Sequence, residues 1–154
     1  MSEFDVGIDC STLERSRTGT ITGELAVRVE GEWFPERQWN DFPVVVLEWW
    51  LAALLDLRAA DSVDLRFMDG PFLVRLSPQH QSMFRLEGVE DGQIRRVNVA
   101  TEVSIRQVYD SIIRAAQLVD KACTERGWSS DDVRRLQSTL HKAVGDAPSL
   151  FDSV

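Results

Sequence analysis

Cysteine, histidine and clustered glycine are all scarce in this chain of 154 residues, and each shortage excludes a class of function. The two cysteines, Cys10 and Cys123, stand far apart with no CxxC pair and no histidine beside them, so no disulfide scaffold or zinc motif can be read. Free cysteine is usually buried, and Cys10 shares the alternation of Phe4, Val6 and Ile8, so both are expected as packed, reduced thiols. His80 and His141 lack any ligand spacing such as HExxH, which argues against a metal centre. No nucleophile elbow and no neighbouring cysteine and histidine occur, so covalent catalysis has no motif to rest on. The nine glycines are dispersed singly, and neither GxGxxG nor a P-loop is present. No cofactor is expected.

Long apolar runs are missing too. None approaches the roughly 18 residues that a membrane span needs. The longest, Pro43 to Leu57, is interrupted by Glu48 and Asp56. The amino terminus is acidic at Glu3, Asp5 and Asp9 and shows no basic segment leading into an apolar one, so no secretory signal is expected and the expected compartment is the cytoplasm.

What the chain has in excess is acid. Its formal net charge is −8, and residues 1–77 carry 14 acids against 7 bases, whereas residues 78–154 carry 11 against 10. Nucleic-acid phosphates need clustered Lys and Arg, so direct nucleic-acid binding is not expected. Attraction to a basic partner is.

Four of the five tryptophans, Trp33, Trp39, Trp49 and Trp50, crowd into one stretch that ends in an almost wholly apolar helix. Asn40 or Asp41 can cap it, with Pro43 in its first turn. Phe42, Val46, Trp49, Ala53 and Leu57 form one stripe at helical spacing, and Leu47, Leu51, Leu54 and Leu55 widen it. Only Glu48, Ala52 and Asp56 leave a wet edge. A helix apolar nearly all round must be covered, by its own fold or by a partner.

Around that helix the period is two. Phe4 to Cys10 and Ile21 to Glu30 alternate as strands, with Ser11 to Gly19 as a loop between them and Gly31 to Gln38 as a turn that Pro35 keeps irregular. Val63 to Phe67 and Phe72 to Leu76 flank a turn at Asp69-Gly70. After a loop at Pro78 to Ser82, Phe84-Leu86 and Ile94 to Val99 flank Asp91-Gly92, with a bulge expected at Arg95-Arg96. Two helices close the chain. One is capped by Thr101, ends at Gly127 and buries Ile105, Val108, Ile112, Ala116, Val119 and Cys123. The other starts at a Ser129 and Asp132 capping box, buries Val133, Leu136 and Leu140, and ends at Gly145 and Pro148. The expected fold is one α+β domain over residues 1–154: an antiparallel sheet of about six strands with three helices on one face, and a loose tail at 145–154.

Candidate site residues follow from types that do not belong in a core. Trp33 and Trp39 lie in loop-like sequence, where they are either packed or interface anchors, since tryptophan and arginine dominate interface hot spots. Asp61, Asp64 and Asp69 flank one strand, and Glu87, Glu90 and Asp91 gather at a hairpin tip. They read as turn chemistry or as an acidic docking patch. Arg66, Arg75, Arg85 and Arg95 fall on the outward phase of four consecutive strands. They either pair across strands with Asp64, Glu87 and Glu24 or form an anion-binding stripe.

The run Phe34-Pro35, Trp39, Asp41-Phe42, Leu47 and Trp49-Trp50-Leu51, followed by Phe67-Met68-Asp69-Gly70-Pro71-Phe72, resembles small acidic bacterial proteins of polymorphic-toxin loci, of the immunity type. These motifs cover about a third of the chain. The resemblance implies a cytoplasmic inhibitor that binds a toxin, for instance through a basic toxin domain, and performs no chemistry. Two rival readings are a homodimer or complex subunit whose apolar helix completes a shared core, and an enzyme working with carboxylates and arginines.

Overall fold

The computed structural model describes residues 3–57 and 61–145. Of the expected tail only Gly145 falls within them, as the last residue of a helix; the rest lies outside the described residues. The elements in chain order are β1 (Phe4–Arg15), β2 (Ile21–Val29), β3 (Glu32–Phe34), β4 (Asn40–Asp41), α1 (Pro43–Leu55), β5 (Val63–Arg66), β6 (Phe72–His80), β7 (Met83–Asp91), β8 (Arg95–Ser104), α2 (Ile105–Glu125) and α3 (Asp131–Gly145).

The α+β class and the three helices are as expected; the single sheet of about six strands is not. The strands form two four-stranded antiparallel sheets. In the first, β2 pairs with β1 on one side and with the short β3 and β4 on the other. In the second, β5, β6, β7 and β8 run as a meander. The helix α1 separates the two groups in sequence and packs against β2 and β5, one strand from each sheet. Inner faces of both sheets then meet in one cluster. Phe4, Val6, Leu25, Val27 and Phe34 come from the first, and Leu65, Val74, Leu76, Phe84 and Leu86 from the second.

α1 is the centre of that cluster, and its own chain covers it: α2 and α3 pack on it as well as the two strands. Leu47, Leu51 and Leu54 are fully buried, and the buried Trp50 donates from Nε1 to the Arg66 carbonyl at 2.8 Å. Trp49 departs from expectation. It leaves the buried stripe and is 42% exposed. The wet edge of the helix therefore runs through Trp49 and Asp56, while Glu48 accepts from Thr139 of α3 at 2.8 Å.

Several boundaries move for identifiable reasons. The loop placed at Ser11–Gly19 is mostly strand, because β1 accommodates three extra residues between Asp9 and Glu14 and then resumes its ladder with β2. Arg126, at the end of α2, holds that irregularity by donating to the Cys10 carbonyl at 2.7 Å and the Leu13 carbonyl at 3.1 Å. The turn ahead of Pro35 contains a short strand, and the loop at Pro78 to Ser82 shrinks to a tight turn at Gln81. The bulge sits at Asn98, between Val97 opposite Val89 and Val99 opposite Gly88, and not at Arg95-Arg96.

The caps are Ser104 for α2, accepting from Gln107 N at 3.1 Å, and Ser130 beside α3, accepting from Val133 N at 3.2 Å; Thr101 and Ser129 do not serve. Phe42 caps α1 without a side-chain bond, while its N–H is taken by Asp41.

Candidate protein-interaction surface

Trp33 lies outside the core cluster. It stands on β3 opposite Arg28, on the outer face of the first sheet, and is 37% exposed. Its six-membered ring lies over Gly7, where a Cβ would meet ring carbons at 2.5 and 2.8 Å. Gly7 is paired with Ala26, so two small residues floor the indole. The Arg28 guanidinium lies 5.8 Å from the ring centroid.

Beside this ring opens a cleft of about 210 Å³, lined by Gly7, Asp9, Glu24, Ala26, Trp33 and Arg37 among others. Asp9 and Glu24 are register partners on neighbouring strands, both on the outer face. Two donors from Ser11, the hydroxyl at 2.6 Å and the backbone N–H at 3.0 Å, hold the Asp9 carboxyl below its ordinary range and so keep it ionised. Among the described residues neither of these carboxylates has a cation within 4 Å. Arg37 enters from the loop between β3 and β4, next to Gln38 at a left-handed φ of 61°. Asp5, in the same outward phase of β1, is taken by Arg114 of α2.

The sequence candidates divide. Trp39 is half-buried, with Nε1 donating to Asp41 at 2.9 Å and its ring edge-on to Phe72 at 5.2 Å, so it packs and is not an exposed anchor. Asp69 lies in the exposed turn after β5, at the same end of the second sheet as Glu90 and Asp91; Phe72 is opposite Glu90, and Asp91 N donates to the Pro71 carbonyl at 2.6 Å. Asp61 precedes β5 and stands apart from them. Glu87 is not at the hairpin tip. It is mid-strand, in a cross-strand row with Asp64 and Arg75.

That row decides how the arginine stripe is arranged. Arg75 grips Asp64 with two bonds, Nε to Oδ1 at 2.7 Å and Nη2 to Oδ2 at 2.9 Å, which draws the Asp64 carboxyl below its ordinary range and raises Arg75. Arg66 reaches the same carboxylate at 3.8 Å, and Arg85 reaches Glu87 at 3.5 Å. Arg95 is the register partner of Asp91. Glu24, expected among the partners, is in the other sheet opposite Asp9. Leu73 and Val89, paired on this charged face, are fully buried outside the main cluster. Long charged side chains can cover apolar neighbours in this way.

Burial pushes both the Cys10 and Cys123 thiols up, away from thiolate reactivity. No three His, Cys, Asp or Glu side chains gather to hold a metal ion among the described residues, and no described helix is long and apolar enough to cross a membrane.

The residues that reading the sequence missed are Gly7, Asp9, Glu24 and Arg37. The signal for Gly7, Asp9 and Glu24 was the outward phase of the first two strands, since Asp5, Gly7 and Asp9 alternate with Phe4, Val6 and Ile8; Arg37, in a loop, had none. No family model, curated protein or solved structure matches the chain.

Proposed function

We propose that this chain is a small cytoplasmic protein-binding domain of the immunity type, which neutralises a bacterial toxin by direct contact and carries out no chemistry. The observation that supports it is Trp33. An indole stationed outside the core, on a floor of Gly7 and Ala26 and beside an open cleft, costs the isolated protein solvent-exposed aromatic surface that a partner would cover. The net charge of −8 favours capture of a basic surface before that contact forms.

The rival reading as a homodimer completed by the apolar helix has less support, since α1 is covered within its own chain. The enzymatic reading has less as well, because Arg66, Arg75 and Arg85 of the second sheet are engaged by neighbouring carboxylates.

The decisive experiment co-expresses the protein with the products of its adjacent genes. One of them is expected to be toxic alone, to be neutralised by this chain, and to form a stable complex with monomeric protein. Trp33→Ala should weaken that complex about 30-fold, as a hot-spot truncation of about 2 kcal/mol does. Thermal stability should be almost unchanged. If no neighbouring product is bound or neutralised, the assignment fails.

A further inference from the structure

The outer face of the first sheet has an unbalanced feature. Like charges directly opposite one another on antiparallel strands repel, and Asp9 faces Glu24 with no cation of the described chain within 4 Å. The strands do not relieve this by turning either residue inward, because that phase is filled by Ile8 and Leu25. Both residues line the cleft walled by Trp33.

We infer that this cleft receives an arginine side chain of the partner protein, its guanidinium bridging Asp9 and Glu24 and its stem lying along the Trp33 indole. The inference rests on the protein-binding reading above and names the chemistry of that contact. Size agrees: an open cleft of about 210 Å³ has room for one long side chain. Charge agrees: two carboxylates face one guanidinium, Arg37, within the lining. Geometry favours arginine over lysine. A planar guanidinium offers donors along two edges and a face that packs against an aromatic ring, whereas an ammonium is a compact point charge. The small floor has a purpose in this arrangement, since any side chain at position 7 would displace the indole that forms the wall.

The probe is a blocked tetra-arginine peptide, titrated into the full chain while the Trp33 indole N–H is followed by NMR. The expected result is a saturable shift of that signal, with a blocked tetra-lysine peptide binding at least fivefold more weakly. Asp9→Asn with Glu24→Gln should weaken tetra-arginine at least tenfold. Glu24→Gln alone should cost at least threefold and, since the Glu24 side chain accepts no bond among the described residues, leave the fold intact. Asp110→Asn with Glu125→Gln removes the same charge from exposed positions of α2 and should change binding less than twofold. The inference is overturned if the Trp33 signal does not move, if lysine binds as well as arginine, or if the α2 pair weakens binding as much as the cleft pair. Neutralisation of a toxin with an unmoved Trp33 would remove this inference and leave the function. A moving Trp33 with no toxin neutralised would do the reverse.

Discussion

Asp41 has no exposed surface, yet its carboxylate stands among four donors. It accepts from Phe42 N at 2.8 Å, Met68 N at 3.2 Å, Asp69 N at 3.2 Å and Trp39 Nε1 at 2.9 Å. A buried charge is tolerable only when its lone pairs are used, and here they tie the start of α1 to the turn between β5 and β6. One side chain thereby joins the two sheets across the helix. Asp41→Asn keeps the shape but turns an amide N–H₂ toward groups that themselves donate. It should cost about 2–4 kcal/mol in urea unfolding, through two or more orphaned donors. A loss below about 1 kcal/mol would mean that the donors find other acceptors. In the sequence Asp41 read as a helix cap, because Asp before an apolar helix normally is one. Its backbone is instead committed to Gly23 across the sheet, and its side chain reaches 28 residues along the chain to Asp69.

The helices and the hairpins show which local signals suffice. α2 and α3 bury the residues that 3.6 periodicity selects: Ile105, Val108, Ile112, Ala116, Val119 and Cys123 on one, Val133, Leu136 and Leu140 on the other. Their caps slip by one to three residues, since several serines and threonines near a helix start are interchangeable by type and only the path of the incoming strand selects among them. The row Asp64, Arg75 and Glu87 was legible as outward phase, but the identity of each pair depended on register. That row makes a pH prediction. An ordinary aspartate titrates near 3.8, and Asp64 lies below this because Arg75 bonds its ionised form. A group depressed on folding stabilises the fold above its unfolded value and loses that contribution as pH falls through the folded one. Asp64→Asn should therefore cost about 1 kcal/mol at pH 7, with the difference from the parent shrinking as pH falls below about 4. Denaturation curves across that range give the test. A penalty that stays constant with pH would show that packing, and not ionisation, is what Asp64 supplies.

At the scale of the molecule, two sheets share one interior. Phe34 illustrates the sharing. It comes from β3 of the first sheet and packs edge-on to Phe67 at 6.1 Å and Phe72 at 5.8 Å, residues that flank the β5–β6 turn. A Cβ on Gly88 of the second sheet would meet that same ring at 2.9 Å. Neither sheet has a core of its own to retain if the other is lost. Unfolding should accordingly be a single transition, with far-ultraviolet circular dichroism and tryptophan fluorescence coinciding. Leu51→Ala, fully buried at the centre of α1, should cost about 3 kcal/mol of stability and lower that one midpoint without splitting it. Two separated transitions would show that the sheets are independent units.

The amino-acid sequence by itself determined the class of the fold, the three helices, the faces α2 and α3 bury and the outward phase of Asp64, Arg66, Arg75, Arg85 and Glu87, because each follows from a period of 2 or 3.6 within a few neighbouring residues. Only the tertiary structure decided that the strands divide into two sheets, that Trp49 leaves the core while Trp39 packs against it, and that Asp9 stands opposite Glu24 beside Trp33. Those outcomes depend on register and on long-range partners. An extra three residues in β1 or one in β8 shift every pairing beyond them without altering the alternation that a sequence displays.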